Sequence, residues 1–323
     1  MSCDRPSGDS LRVLPGNVEQ LIATARSGTA DYGDLGELIK RPVIVVSAPR
    51  SGSTLLFEQL MTIEGFWSIG GESHGIFRLF PQLRAENASM DSGALSAGHA
   101  DAETVKSMQA CFAWLLRDRH GQAFNQIPAQ KRPPSVTLLE KTPRNALNIP
   151  FLCELFPEAR FIYLHRDPRP NIASIVEAWT LGLQSGRFVT YRDLPGWDRA
   201  GWCFLLPRGW REYIGRSLFE IAAFQWAASN DAILDNLPRD RSLTVSYESL
   251  ISDPPSVIAD VCRFAGVAPP LKPTAQLSLS RTTISPPNID KWRRVAEQVA
   301  AVENIFAATA DRVQLEIIMP LGS

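Results

Sequence analysis

Short apolar runs alternate with helical stretches from residue 41 onward. The run Val43–Val46 contains only β-branched residues, which is typical of a strand buried on both faces of a parallel sheet. Similar runs predict strands at Val136–Leu139, Phe161–Leu164 and Leu243–Val245. Helices are predicted near Val18–Ala25, Thr54–Met61, Asn171–Trp179, Phe219–Leu237 and Ser256–Phe264. Strands that alternate with helices predict an α/β fold of three layers, with a central parallel sheet flanked by helices.

Two segments interrupt this alternation and are interpreted as insertions. Residues 86–130 form a mostly helical excursion between the first two predicted strands. Residues 181–215 carry Trp197, Trp202 and Trp210 among prolines and glycines, which fits either an apolar lid over a ligand or an insertion that packs helices. We expect an N-terminal extension over residues 1–40 and one domain over residues 41–323, in which both insertions shape the ligand pocket.

The composition narrows the function classes. Lys and Arg number 33 against 34 Asp and Glu, a formal net charge of −1, so neither a nucleic-acid binder nor a membrane-surface binder is expected. The five cysteines lie far apart, which predicts neither a disulfide framework nor a metal site. No run approaches 18 apolar residues, and the chain is expected to be soluble and cytoplasmic.

The segment Ser47–Thr54 joins the first predicted strand to a helix and is rich in Gly, Pro and Ser. The amide groups of such a loop and of the helix start converge on one point, which favours an anion. Gly52 and Thr54 match the nucleotide-triphosphate loop G-x-x-x-x-G-K-[ST], but Ser47 replaces its first Gly and Ser53 its Lys. Because that Lys cradles the terminal phosphates, a P-loop kinase or NTPase is the less favoured alternative.

The heptapeptide Pro-Arg-Ser-Gly-Ser-Thr-Leu, residues 49–55, resembles the 5′-phosphosulfate loop of sulfotransferases that use 3′-phosphoadenosine 5′-phosphosulfate (PAPS). The resemblance implies a P-loop-like fold, PAPS as the sulfuryl donor, 3′-phosphoadenosine 5′-phosphate as the product, and no metal. It also implies that five loop residues bind the donor, namely Arg50, Ser51, Gly52, Ser53 and Thr54.

A second anchor motif for the donor, besides residues 49–55, follows the predicted strand Phe161–Leu164. The sequence His-Arg-Asp-Pro-Arg, residues 165–169, resembles the family's 3′-phosphate site, whose ligands are an Arg and a Ser, here Arg166 and Ser174. A guanidinium fork together with a hydroxyl near a helix start suits a phosphate dianion. Both anchors occur in the family's order, so the resemblance covers about residues 41–294.

Glu72 lies in Gly-Gly-Glu-Ser-His, residues 70–74, where similar sulfotransferases carry a Glu. The resemblance implies that Glu72 is the general base for the acceptor hydroxyl, and a partly dry pocket is expected to tune the pKa of its carboxyl towards neutrality. His74 is the competing base. The sequence leaves open which of the two acts and which one orients the other.

Lys141 directly follows the predicted strand Val136–Leu139. The resemblance implies that Lys141 contacts the sulfuryl group and the bridging oxygen, where negative charge grows as the S–O bond breaks. Arg50 would share this catalytic role, and Arg144 would add to a cationic rim. Three further donor contacts are implied: Tyr247 near the adenine, where a core-filling Tyr is an equal alternative, and Thr282 and Lys291 in a C-terminal loop.

The resemblance specifies the acceptor only as a hydroxylated compound. Four segments, residues 55–58, 70–74, 187–191 and 194–197, resemble bacterial sulfotransferases associated with polyketide synthases, which sulfonate a β-hydroxyacyl chain on a carrier protein. The motif layout also resembles that of tyrosylprotein sulfotransferases. A carrier-bound and a free small-molecule acceptor both stay open, as does the oligomeric state. A catalytically silent nucleotide-binding scaffold is a further alternative.

Overall fold

In the computed structural model, which describes residues 18–271, 277–284 and 290–318, five parallel strands form the central sheet and two more form a hairpin. The strands are β1 (Val43–Val46), β2 (Phe66–Trp67), β3 (Thr137–Lys141), β4 (Arg160–His165), β5 (Val189–Tyr191), β6 (Trp202–Cys203) and β7 (Ser242–Ser246). The helices are α1 (Val18–Gly28), α2 (Leu35–Leu38), α3 (Ser53–Leu60), α4 (His74–Arg78), α5 (Ala102–Leu115), α6 (Ile149–Leu155), α7 (Pro168–Ser185), α8 (Leu218–Asn236), α9 (Tyr247–Ser252), α10 (Pro254–Ala265), α11 (Ala296–Ala300) and α12 (Glu303–Ile318).

The central sheet has the strand order β2-β3-β1-β4-β7, and every pairing in it is parallel. β1 lies in the middle, with Val43 opposite Leu139 of β3 and Arg160 of β4. The four strands predicted from apolar runs are confirmed, with ends that differ by at most two residues. The pattern does not predict β2, because two residues are too few to show a period. The α/β fold with a central parallel sheet flanked by helices is confirmed.

Alternate residues of β1 face opposite layers of the protein. Ile44 and Val46 belong to one apolar core cluster, and Val43 and Val45 belong to a second. All four side chains are at most 1% exposed, as expected for a strand covered by helices on both faces. Ala25 of α1 belongs to the first cluster, so α1 packs on the same core as the sheet. The division into an extension and a domain at residue 40 stays a prediction.

The tryptophan-rich insertion, residues 181–215, has an aromatic core of its own. Trp202 and Trp210 are fully buried with ring centroids 5.8 Å apart, and both pack against Trp197. The indole N–H of Trp202 donates to the Leu205 carbonyl at 2.7 Å, and that of Trp210 donates to the Met90 carbonyl at 2.8 Å. These rings stabilise the insertion rather than face the main cavity. A lid movement of the segment stays a prediction.

Candidate active site

Four strands bring the candidate residues to one edge of the sheet. Because β1, β3, β4 and β7 are parallel, their carboxyl ends lie side by side, and ligands of such sheets usually bind there. The loop 47–52 follows β1, Lys141 ends β3, Arg166 follows β4, and Tyr247 follows β7. The sheet therefore gathers residues that are up to 200 positions apart in the chain.

The loop 47–52 turns sharply between β1 and α3. Arg50 has a φ of 64° and Gly52 a φ of 95°, so both adopt the left-handed conformation. That conformation is strained for an arginine and favours a glycine. A Cβ atom on Gly52 would also lie 2.4 Å from the Tyr247 ring, so position 52 leaves no room for a larger residue.

Asn171 stabilises this loop through two hydrogen bonds, although the sequence does not identify it as a site residue. Its side-chain N–H donates to the Pro49 carbonyl, and its side-chain oxygen accepts from the Ser51 hydroxyl, each at 2.7 Å. Asn171 is fully buried in the first turns of α7. The hydroxyl of Ser51 is thus engaged inside the protein, and Ser51 does not line the main cavity. An asparagine soon after the Arg166 motif is the signal that points to this contact.

Arg50 and Arg166 are partly buried, and neither pairs with a carboxylate in the part of the chain that the structure describes. The Nε atom of each is buried and has no hydrogen-bond partner there. Arg50 Nη1 donates to the Thr282 carbonyl at 3.0 Å, and Arg166 Nη1 donates to the Arg50 carbonyl at 3.1 Å. Burial lowers the pKa of Arg50 to about 10 and also lowers that of Arg166. Because a buried N–H donor without an acceptor is costly, the two unpartnered Nε atoms indicate an anion site.

Glu72 lies between Lys141 and His74. Its Oε1 is 2.5 Å from Lys141 Nζ, and its Oε2 is 3.1 Å from His74 Nε2. Lys141 is 1% exposed and also donates to Thr54 Oγ1 at 3.2 Å. On the other side of the imidazole, Arg144 Nε donates to His74 Nδ1 at 3.1 Å. This contact assigns to His74 the neutral tautomer, whose Nε2–H donates to Glu72.

The pKa of Glu72 departs from the prediction. Burial by itself raises the pKa of this carboxyl, but the hydrogen bond from His74 and the charge of Lys141 outweigh burial and lower the pKa to about 2. The prediction of a near-neutral pKa is therefore wrong, because it considered the dry pocket without the adjoining cation. Burial lowers the pKa of His74 despite its hydrogen bond to Glu72. At neutral pH the pair consists of a carboxylate and a neutral imidazole.

The remaining candidates all line the same cavity: Ser174, Tyr247, Thr282 and Lys291. Tyr247 lies beneath Arg166, whose guanidinium carbon is 4.3 Å from the ring centroid. Lys291 is paired with Glu177, at 2.6 Å between Nζ and Oε1. The cavity thus collects these residues, and their roles in donor binding stay predictions.

The cavity has a volume of about 1160 Å³ and contains an apolar wall. The insertion 181–215 contributes Phe188 and Phe204, whose ring centroids are 5.5 Å apart, and α8 contributes Phe219. Phe188 and Phe204 have φ values of 68° and 65°, a strained conformation for residues other than glycine. Arg50 lies over the Phe188 ring at 5.4 Å. The two phenylalanines extend the site from the loop 47–52 towards the insertion.

The fold and these residues together define a class: an α/β protein with a candidate anion site and a carboxylate–lysine pair at the carboxyl edge of a parallel sheet. A sequence model of the family described as the sulfotransferase family matches residues 42–270, which is more than half of the chain. The chain therefore belongs to the sulfotransferase family. The resemblance inferred from the two anchor motifs is confirmed at this level.

Several solved structures are similar to this chain. The sulfotransferase domain from the Synechococcus PCC 7002 olefin synthase has 21% identity and a TM-score of 0.49, covering 86% of this chain and 96% of that one. The sulfotransferase domain from the curacin biosynthetic pathway has 17% identity and a TM-score of 0.42, covering 81% and 98%. A sulfotransferase from Mycobacterium avium has 15% identity and a TM-score of 0.47, covering 92% and 83%. The family assignment does not depend on these structures. No curated protein matches the chain significantly.

Within residues 18–271, 277–284 and 290–318, no three His, Cys, Asp or Glu side chains are grouped so that they could hold a metal ion. Among the same residues, no helix combines the length and apolar character needed to cross a bilayer.

Proposed function

We propose that this chain transfers a sulfuryl group from PAPS to a hydroxyl group of an acceptor. The observation that carries the proposal is the pair of partly buried arginines, Arg50 and Arg166, whose buried Nε atoms lack partners within the described residues. PAPS has an anionic group at each of its 3′ and 5′ positions, so it supplies counter-charges for both arginines. The residues at the edge therefore fit the donor.

Lys141 is proposed to stabilise the leaving group. PAPS supplies the sulfuryl group and a phosphate that departs with growing negative charge. Lys141 Nζ lies 3.2 Å from Thr54 Oγ1 at the start of α3, beside the loop 47–52. In place of the lysine of a nucleotide-triphosphate loop this chain has Ser53, and the cation comes instead from the neighbouring strand β3. A buried ammonium at this point interacts strongly with charge that develops in the transition state.

Glu72 is proposed as the general base, and His74 as the residue that orients it. A carboxylate with a pKa of about 2 is a weak base while Lys141 is bound to it. When Lys141 Nζ turns to an oxygen of the donor, Glu72 loses a cationic partner, and its pKa rises. His74 Nε2–H continues to hold the carboxylate. The base therefore gains strength when the donor is bound.

We further propose a hydroxylated acyl chain, free or attached to a carrier protein, as the class of acceptor. Phe188, Phe204 and Phe219 give the cavity an apolar wall, which favours burial of a hydrocarbon chain. Glu72, His74 and Arg144 line the same cavity and supply its polar groups. An acyl chain with a hydroxyl group near its polar end matches both parts.

Two measurements test the proposed function. In a thermal-shift assay, 3′-phosphoadenosine 5′-phosphate, also called 3′,5′-bisphosphoadenosine, should stabilise the protein more than ATP with Mg²⁺ does. The reverse order would favour the kinase or NTPase alternative. In a transfer assay, the protein is incubated with labelled PAPS and a panel of free and carrier-bound hydroxyacyl compounds, and products are detected by their mass. Bisphosphate binding without transfer to any of these or to free hydroxylated metabolites would favour the silent scaffold.

A further inference from the structure

Glu140 is a buried carboxylate beside the base that the proposed mechanism does not use. It is the fourth residue of β3, is 2% exposed, and lies opposite Ile44 of the central strand. Burial raises the pKa of this carboxyl. Burying a carboxyl group in the interior of a sheet costs free energy unless hydrogen-bond donors surround it. The neighbours of Glu140 therefore identify the residues that it positions.

Three side-chain donors surround Glu140. Ser73 Oγ and Thr142 Oγ1 each donate to Oε1 at 2.6 Å, and Asn145 Nδ2 donates to Oε2. Thr142 Oγ1 also accepts from the backbone N–H of Ser73 at 2.8 Å. Ser73 and Asn145 are both fully buried. Glu140 is thus the centre of a closed polar cluster beneath the cavity.

This cluster joins the two segments that carry the candidate base and its neighbours. Ser73 lies between Glu72 and His74 in the chain, and Asn145 directly follows Arg144. Arg144 and His74 contact each other at 3.1 Å. By holding Ser73 and Asn145, Glu140 fixes the backbone on both sides of that contact.

Two successive residues of β3 contact two successive residues of the segment 72–74. Side chains of neighbouring strand residues point to opposite faces. Accordingly, Lys141 contacts Glu72, whereas Glu140 contacts Ser73. The segment 72–74 therefore contacts side chains on both faces of the end of β3.

We propose that Glu140 is a positioning residue, which locks the segment 72–74 against the turn 142–145 so that His74 and Glu72 keep their mutual hydrogen bond. The effect on catalysis rests on the proposed function, whereas the effect on His74 does not. A displacement of about 1 Å in a reacting group can slow a reaction by about 10²-fold, so loss of the lock should lower kcat.

The first test reads the imidazole of His74 in the isolated protein. The chain has four histidines, so a spectrum of ¹⁵N-labelled histidine is simple, and the His74→Gln variant assigns the signal of interest. The wild type should show one tautomer, protonated at Nε2. The Glu140→Ala variant should show a mixture of tautomers or exchange broadening. An unchanged His74 signal in Glu140→Ala would overturn the proposal, whatever the protein catalyses.

Rescue and control variants separate positioning from stability. Glu140→Gln keeps the shape of the side chain. Asn145 Oδ1 has no partner within the described residues, so its amide can turn and accept from the new Nε2–H. Glu140→Gln should therefore restore the wild-type His74 signal. Met108→Ala removes a fully buried side chain of α5 and should lower the melting temperature while leaving His74 unchanged.

The second test uses an acceptor that the wild type sulfonates. Glu140→Ala should lower kcat by about 10-fold or more, with the Kd of 3′,5′-bisphosphoadenosine unchanged, and Glu140→Gln should recover most of the rate. Wild-type kcat in Glu140→Ala would overturn the proposal. If that variant does not fold, the double variant Ser73→Ala with Thr142→Val removes two donors and takes its place in both tests. An inactive wild type would count against the proposed function alone, because the His74 spectrum still decides the positioning role.

Discussion

The cavity has two ends, a phosphate end and a base end, which differ in whether their charged side chains are paired with opposite charges. At the phosphate end, Arg50 and Arg166 are partly buried, and no carboxylate of the described chain pairs with either. At the base end, Glu72, Lys141 and His74 satisfy one another within 2.5 to 3.1 Å. The phosphate end is therefore incomplete without an anion, whereas the base end is complete by itself.

This difference separates binding from chemistry. A cation with a buried, unpartnered N–H donor makes the unliganded protein less stable and an anionic ligand more tightly bound. A paired base is stable but weak, because its charge is already neutralised by Lys141. Donor binding is thus expected to come first and to release the base afterwards.

The largest effect is expected from Glu72→Gln. The amide cannot accept the proton of the acceptor hydroxyl, so kcat for transfer should fall by about 10² to 10⁴-fold. Binding of 3′,5′-bisphosphoadenosine should persist, because Glu72 contacts residues of the base end only. Transfer is measured by product mass and binding by calorimetry. A mild loss in Glu72→Gln together with a severe loss in His74→Gln would assign the base role to His74.

The second prediction compares the loss of the buried cation Lys141 with the loss of the partly buried cation Arg166. Lys141→Met leaves Glu72 without its cationic partner and should lower the free energy of unfolding by about 2 kcal/mol or more. Arg166→Met removes a charge that has no carboxylate partner among the described residues, so the unliganded protein should change by less than about 1 kcal/mol. The same variant should bind 3′,5′-bisphosphoadenosine about 10 to 100-fold more weakly. Urea unfolding and calorimetry measure both quantities. Equal destabilisation by the two variants would contradict the contrast between the two ends.

The strands and the edge where the site lies were predictable, because their signals are local. Val43–Val46 is a β-branched run followed at once by a Gly- and Ser-rich turn, and Lys141 and Arg166 stand directly at strand ends. Parallel pairing then brings strand ends together without further information. Adjacent residues thus sufficed to predict the place of the site and its charge.

The partners of these residues were not predictable, because they come from distant parts of the chain. Lys141 contacts Glu72 across 69 positions, and Asn171 contacts Ser51 across 120. The sign of the Glu72 pKa shift depends on the first of these contacts, which explains why a prediction from burial alone was wrong. The tryptophans of residues 181–215 likewise gave no sign that they pack against each other.

The third prediction uses pH to test the ion pair at the base end. The pKa of Glu72 in the folded protein is about 2, below its ordinary value of 4.5. A depressed carboxyl pKa adds stability above pH 4.5, and this contribution is lost as the pH falls from 4.5 towards 2. The difference in unfolding free energy between the wild type and Glu72→Gln should therefore shrink over this window, by up to about 3 kcal/mol. Urea unfolding at successive pH values measures it, and a constant difference would contradict the pairing with Lys141.

The smallest effect is expected at the apolar wall, where the prediction concerns apolar burial rather than charge. Phe204→Ala removes a ring that lines the cavity and should raise the KM for an apolar hydroxyacyl acceptor by about 10-fold, because about 1 to 2 kcal/mol of apolar burial is lost. The donor KM should stay unchanged, since Arg50, the proposed donor-binding arginine, lies over Phe188 rather than Phe204.

The control for this prediction is Phe224→Ala, because Phe224 stacks on Tyr213 at 4.1 Å and does not line the cavity. It should leave both KM values unchanged. Lengthening the acyl chain sharpens the comparison: each added methylene that the wall covers should lower the wild-type KM by up to about 4-fold and should gain less in Phe204→Ala. If Phe204→Ala weakens the donor instead, or if chain length has no effect in the wild type, the wall belongs to the phosphate end and the acceptor is not an acyl chain.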